Sequence, residues 1–341
     1  MKLKSFNIFP VLLVLSGFLW AEDISLDSFL NKNKGQLYYN PIIQQGMIII
    51  ENQSILFSLN QAFFLINQNL LLNLEPLFSK KGILFLTETT ANKLLSQLKT
   101  QSLEHRNVAV ILLDPGHGGK DPGGIGTISG SGKTLTLYEK DIVLDLSLEL
   151  YKLLKLKYPE KKILMTRNTD KYLKLEERVR LANSTEVGDH EAILYISVHT
   201  NAALNKKAKG YEVWYLPSNY KRNLIDESEL NADMRDIAPI LNAMLEEEYT
   251  IESVILAQNI LKGMEGAVGK YTENRGIKEE SWFVVRNAKM PSVLIELGFI
   301  TNSEEAKLLN QQSYLQKLAK GIYNGVENFI FEFESTKGFT E

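Results

Sequence analysis

From residue 109 onward, short apolar runs alternate with segments of helical periodicity. Residues 109–113 are continuously apolar, the pattern of a strand covered on both faces. Glu139–Lys157 follows, with Val143, Leu146, Leu150 and Leu153 or Leu154 on one helical face and Pro159 just beyond its end. The same reading predicts strands over residues 162–166, 192–198, 211–216, 282–286 and 292–296, and a helix over 175–183. A long polar-to-helical stretch covers residues 219–269. Two helices starting near Asn302 and Ser313 close the chain, the last ending around Phe333 with a tail over 334–341. Strands alternating with helices specify an α/β domain with a mostly parallel central sheet flanked by helices.

Residues 22–103 follow a different grammar. Apolar runs at 47–50, 55–59, 63–66, 70–72 and 83–86 are punctuated by Gly35, Pro41, Gly46, Pro76 and Gly82. That predicts a small β-rich accessory domain, closed by a helix over residues 89–99. No catalytic constellation is legible in it. Ahead of it, residues 1–21 have the form of an export signal. Lys2 and Lys4 precede an apolar stretch from Phe9 to Trp20, Ala21 is small, and Glu22 and Asp23 follow. The apolar stretch is short for a membrane span. The expected location is therefore outside the cytoplasm, in the periplasm or at the cell wall.

Composition narrows the chemistry. The 341 residues carry a formal charge of −3, which gives no electrostatic footprint for nucleic acid. There is no cysteine, so a disulfide scaffold, a thiolate metal site and a cysteine nucleophile are all excluded. Any bound metal must be held by histidine and carboxylate.

The densest motif follows the first strand of the α/β region: Asp114-Pro115-Gly116-His117-Gly118-Gly119-Lys120-Asp121-Pro122-Gly123-Gly124. Ligands in open α/β sheets bind at the carboxyl ends of strands. The run is not a dinucleotide fingerprint, because Asp121 stands where the third glycine belongs. Gly132-Lys133-Thr134 is not a phosphate loop either, since Thr127 occupies the required earlier glycine position and no strand leads into it. No nucleotide is expected. What remains is a histidine at the mouth of a sheet, and Ser197-Val198-His199-Thr200-Asn201 places a second one after another strand. Two such histidines, out of four in the chain, are best read as metal ligands. A hydrolytic zinc site takes three protein ligands and leaves one position for water. The third must be a carboxylate: Glu139 at the start of a helix, or its neighbour Asp141, or Asp121. A hydrolase of this kind also needs a general base, and Glu296, ending the apolar run 292–296, is the candidate. On position alone, a salt-bridged glutamate is an equal reading.

As a set these stretches resemble the zinc-dependent N-acetylmuramoyl-L-alanine amidases of bacterial cell walls, the amidase-3 type. The Asp114 to Gly119 run, Tyr138-Glu139-Lys140 and Ser197 to Asn201 carry the likeness. So do Thr166-Arg167, Glu177-Arg178, Asn274-Arg275-Gly276 and Pro291 to Phe299, over residues 108–333. The resemblance implies His117, Glu139 and His199 as Zn²⁺ ligands and Glu296 as the catalytic glutamate. It implies an amidase-3 fold and cleavage of the amide between MurNAc and L-alanine of peptidoglycan, in wall remodelling and daughter-cell separation. Asn201 and Arg275 are candidates for substrate contact, although Arg275 fits a salt bridge as well. Asp114 is a candidate for orienting a ligand from behind. The stretch from Gly126 to Leu137 is longer than in the family and reads as a loop at the rim of the site. Residues 219–250 are acidic. Some amidases of this type carry there an inserted helix that blocks the metal until a protein activator displaces it, and Glu227 or Glu229 could then be the blocking acid. The competing readings are another zinc peptidase acting on stem peptides and a non-catalytic wall-binding protein.

Overall fold

The computed structural model describes residues 23–339, except 52, 68–69, 104–105, 131–132, 189, 226–234, 236–237 and 337. The export signal at 1–21, and Glu227 and Glu229, lie outside the described residues. The chain forms two compact units, Met1–Gln101 and Ser102–Glu341.

In the first unit β1 (Asp23–Ser25) leads into α1 (Leu26–Asn33), whose N-terminus is capped by the Ser25 hydroxyl accepting from the Ser28 N–H. The strands β2 (Gln36–Asn40), β3 (Gln45–Ile50), β4 (Gln53–Ser58), β5 (Phe63–Ile66) and β6 (Leu70–Asn73) form an antiparallel meander in chain order. β7 (Phe78–Lys80) and β8 (Ile83–Thr87) pair with β1 in a second sheet, and α2 (Glu88–Leu103) follows. Period-two alternation puts Ile48, Ile50, Ile55 and Phe57 on one face of the meander. There they join Leu26, Phe29, Phe64, Leu94 and Leu98 in a single apolar cluster. The accessory region is β-rich as expected, with β1, α1, β2 and β7 as elements the apolar runs and turn signals did not reveal.

In the second unit β9 (Asn107–Pro115) starts the central sheet. β10 (Ile125–Gly130) and β11 (Lys133–Tyr138) form an antiparallel hairpin, where the sequence reading had a loop. Its signal was the alternation Ile128-Ser129 and Thr134-Leu135-Thr136-Leu137, which buries Leu137 and leaves the residues around it exposed. α3 (Glu139–Lys157), β12 (Lys162–Met165), α4 (Leu175–Asn183), β13 (Glu191–Asn201) and β14 (Tyr211–Tyr215) follow. Then come α5 (Ala238–Val268), β15 (Asn274–Glu279), α6 (Phe283–Asn287), β16 (Ser292–Phe299), α7 (Ser303–Leu309) and α8 (Gln312–Thr336).

The sheet order is β12-β9-β13-β16-β14-β15. The first four strands are parallel, as an alternating strand–helix chain requires. β14 and β15 are parallel to each other and run against β16, so the sheet is mixed. On one face α3, α5 and α8 bury Val143, Leu146, Leu256, Ile260, Met264, Leu318, Ile322 and Phe329 against the sheet. On the other, α4 and α6 cover Val110, Leu112 and Tyr195. Residues 283–287 form a helix, not the strand their β-branched composition suggested. A helical turn places the adjacent Val284 and Val285 both in this second core, whereas a strand would turn one of them out. The last helix also runs past Phe333 to Thr336, and Phe339 packs on Phe329 and Phe333, so the start of the expected tail is structured.

Residues 238–250, the end of the expected acidic insertion, are the first turns of α5. Glu246 and Glu248 are buried there: Glu246 pairs with Arg222 at 2.7 Å, and Glu248 bonds Arg106. Among the described residues no helix is long and apolar enough to cross a membrane.

Candidate metal centre

The two histidines sit at the carboxyl ends of adjacent parallel strands. β9 and β13 are in register from Leu112 opposite Tyr195 to Pro115 opposite Val198. His199 therefore lies two residues before the end of its strand, beside the turn that carries His117. His117 itself has φ 57°, a left-handed conformation that a side-chain-bearing residue adopts at a cost of about 1 kcal/mol or more. The surrounding turn holds it there. Gly118 and Asp121 exchange backbone hydrogen bonds, and Asp121 accepts from the Gly123 N–H. The absence of side chains is also required: a Cβ on Gly116 would lie 2.2 Å from the His199 ring, and one on Gly123 would lie 2.6 Å from both His117 and Glu139.

Glu139 is the first residue of α3 and is 3% exposed. Its carboxylate lies 3.2 Å from His117 Nε2 and 3.0 Å from His199 Nδ1. The N–H groups of Gly124 and Thr200 donate to its two oxygens at 2.7 and 2.9 Å and fix its plane. Burial works to raise its pKa, but hydrogen bonds and charge from His117 and His199 outweigh burial and hold it well below the usual carboxylate range. One ligand atom from each of the three residues lies within 4.8 Å of the others. A tetrahedral ion with bonds of about 2.0–2.1 Å spaces its ligand atoms by roughly 3.3 Å. The two rings meet different oxygens of Glu139, His117 Nε2 at 3.2 Å and His199 Nδ1 at 3.0 Å, and the donor set of two imidazoles and one carboxylate suits a divalent transition metal.

The open alternatives for the third ligand resolve by position. Asp141 is exposed and does not join the group. Asp121 sits behind it, accepting from His117 Nδ1 at 2.9 Å, which leaves Nε2 to face Glu139. Burial works to lower the His117 pKa, yet Glu139 and Asp121 together raise it. Asp114, expected to orient a ligand, touches none of them. It accepts from Thr166, Arg178, Tyr195 and Ser197, forming with Arg178 a buried pair at 2.6 Å. Arg178 also donates to the carbonyls of Pro115 and His117, and Arg167 to those of Pro115, Gly116 and Lys140. Both arginines hold the histidine turn in place. Of the remaining histidines, His105 lies outside the described residues and His190 is half-buried in a turn.

Glu296 lies in β16 directly opposite His199 in the parallel register and opposite Glu212 in the antiparallel one. It is 9% exposed, and its Oε2 is buried without a hydrogen-bond partner. No cation pairs with it among the described residues, so the salt-bridge reading of the sequence does not hold. Burial, followed by the charges of Glu139 and Glu212, pushes its carboxyl well above the usual range. Glu212 was missed by sequence reasoning; the signal was an acid inside the apolar run 211–216. It accepts from Asn201 at 2.8 Å, Arg275 at 2.7 Å and Lys278 at 2.5 Å. Burial works to raise it, and Lys278, Arg275 and Asn201 bring it below its ordinary value. Both candidates for substrate contact, Asn201 and Arg275, are thus engaged with Glu212, and the salt bridge foreseen for Arg275 is present.

Comparison with known proteins agrees with this geometry. Residues 111–328 match the N-acetylmuramoyl-L-alanine amidase family. The amidase AmiA of Salmonella typhimurium is 30% identical over 246 residues, covering 68% of this chain and 80% of that one. The probable amidase AmiB of Haemophilus influenzae is 31% identical over 64% of this chain, but the match spans only 51% of its own length. Among solved structures, an N-acetylmuramoyl-L-alanine amidase from Clostridium difficile 630 superposes with a TM-score of 0.50 at 28% identity, covering 68% of this chain and all of that one. With 218 of its 341 residues inside the matched region, the chain belongs to the N-acetylmuramoyl-L-alanine amidase family, whose members act on peptidoglycan.

Proposed function

We propose that this amidase holds Zn²⁺ with His117, Glu139 and His199 and uses Glu296 as its general base. The bond cleaved on this reading is the amide between the lactyl group of MurNAc and L-alanine of the stem peptide. The observation that carries the proposal is the buried, unpartnered Oε2 of Glu296 on the strand position opposite His199. A buried acid without a partner is expensive and persists where function requires it. Zinc in the His117–Glu139–His199 group would supply a Lewis acid for the scissile carbonyl and lower the pKa of the attacking water. Glu296 takes the proton that the water gives up and delivers it to the leaving nitrogen, so that the C–O bond forms as the C–N bond breaks. Asp121 fixes the His117 ring through Nδ1, and the Gly124 and Thr200 amides fix Glu139. The turn clamped by Arg167 and Arg178 keeps these groups oriented before substrate arrives. The protein acts outside the cytoplasm, at the cell wall, in wall remodelling and daughter-cell separation.

The test is digestion of purified peptidoglycan by residues 22–341, with zinc and after chelation, with products resolved by mass spectrometry. The amidase releases intact stem peptides with a free L-alanine amino group and glycan strands without peptides, and chelation abolishes both. Products in which L-alanine stays on the glycan would establish a stem-peptide peptidase instead. A folded, zinc-loaded protein that releases nothing would count against the proposal.

A further inference from the structure

Beyond Glu212 lies a group of side chains that the proposed chemistry does not use. β14 separates β16 from β15, and from β15 both Arg275 and Lys278 reach the Glu212 carboxylate. Lys278 is in register with Trp214, and its ammonium lies 5.2 Å from the centre of that ring. Trp282 meets Trp214 edge to face at 6.0 Å and is 43% exposed. Among the described residues Glu212 is the carboxylate within ion-pair distance of the two cations, so one positive charge is left over. The side chains of Arg275 and Lys278 remain 34% and 30% exposed, and an ammonium has three donors, of which Glu212 occupies one.

We propose that Lys278, lying over Trp214, and Arg275 receive the free carboxylate of the second stem-peptide residue. The inference rests on the amidase reading above and names the part of the substrate that sets specificity. Two strand spacings of about 4.8 Å place β15 roughly 10 Å from Glu296. Two extended residues span about 7 Å, and a hydrogen bond of about 3 Å at the far end covers the rest. A peptide leaving the scissile carbonyl and crossing β14 therefore brings its second residue to the cations. A carboxylate there cancels the surplus charge, whereas a carboxamide does not.

The experiment uses the full zinc-loaded chain and two muramoyl dipeptides that differ only in having a free carboxylate or a carboxamide on the second residue. The wild-type protein is expected to favour the free acid in kcat/KM by about tenfold, the scale of one charge-assisted hydrogen bond. Lys278→Met brings that ratio toward one, and Lys278→Arg retains it. If Lys278 only neutralised Glu212, the Met variant would weaken both substrates alike and leave the ratio unchanged. A wild-type ratio near one, or an unchanged ratio in Lys278→Met, overturns the proposal. Calorimetry with the two free dipeptides reads the same preference without turnover. Loss of peptidoglycan cleavage altogether would instead sink the amidase reading.

Discussion

The N-terminal unit buries leucine, isoleucine and phenylalanine, with Thr90 as the buried polar side chain among its described residues. The C-terminal unit buries Asp114, Glu139, Arg167, Arg178, Glu212, Arg222, Glu246, Glu248, Glu252 and Glu296 as well as an apolar core. Each unit folds around a hydrophobic cluster, so the charges are not needed for a core. Their partners separate them by purpose. Asp114 with Arg178 and Arg222 with Glu246 are closed pairs that fasten loops. Glu139 faces two histidines, and Glu296 has no cation partner among the described residues, whereas Glu248, whose Oε2 is also unpartnered, is paired with Arg106. The N-terminal unit buries no ionisable side chain among its described residues.

The sharpest way to break this contrast is Glu296→Gln, which keeps the shape and removes the base. Turnover on peptidoglycan should fall on the order of 10²–10⁴-fold, with zinc content by elemental analysis unchanged. A variant that keeps wild-type turnover would show that the unpaired carboxylate is structural.

Next in size are two core truncations with opposite consequences. Asp114→Ala leaves Arg178 buried without its partner and should cost about 3–5 kcal/mol. Because the same residues fasten the His117 turn, zinc affinity by competition with a chelator should fall with it. Phe64→Ala in the N-terminal cluster should cost a similar 3–5 kcal/mol in thermal unfolding and leave zinc affinity unchanged. Loss of zinc in Phe64→Ala would mean that the units do not divide structure from chemistry in this way.

What the sequence disclosed follows the same division. Strong local periodicity made Glu139–Lys157 and Leu175–Asn183 legible to the residue, and the glycine-dense turn after β9 pointed to His117. Elements set by tertiary partners were not legible. The Val284-Val285 pair looks like a strand until both faces of a helical turn find a core. The reversal of β14 and β15 depends on which sheet edge is free, and no local pattern records that. In the site, the residues that touch the candidate ion were readable because they end strands or start a helix. Those that act behind it were not. Asp121 competed as a ligand because its four-residue spacing from His117 shows contact but not which nitrogen is met. Glu212 requires knowledge that β14 lies beside β16.

Asp121→Asn tests that supporting layer. The Asn amide can still accept from His117 Nδ1 but carries no charge to hold the imidazole in place. Zinc affinity should fall about 10–100-fold, with the fold intact by circular dichroism. An unchanged affinity would confine the metal site to its three ligands.

The smallest expected effect probes a buried acid far from the reaction. Glu252 sits in α5 beside Glu248, with Arg106 near both and Tyr249 adjacent. Burial and then the Glu248 charge push its carboxyl up to about 8, against the partial opposition of Arg106. The sign follows from proton counting. Below about pH 4.5 the folded and unfolded chains both hold the proton. Between about 4.5 and 8 the folded chain keeps a proton that the unfolded chain has released, so stability falls as pH rises. Glu252→Gln, permanently neutral, should flatten this slope and be more stable than the wild type at pH 8, with little change at pH 4.5. Thermal melts of the two proteins across that range decide it. A parallel pH dependence would show that Arg106 keeps both acids charged, leaving Glu296 as a buried glutamate with no cation beside it among the described residues.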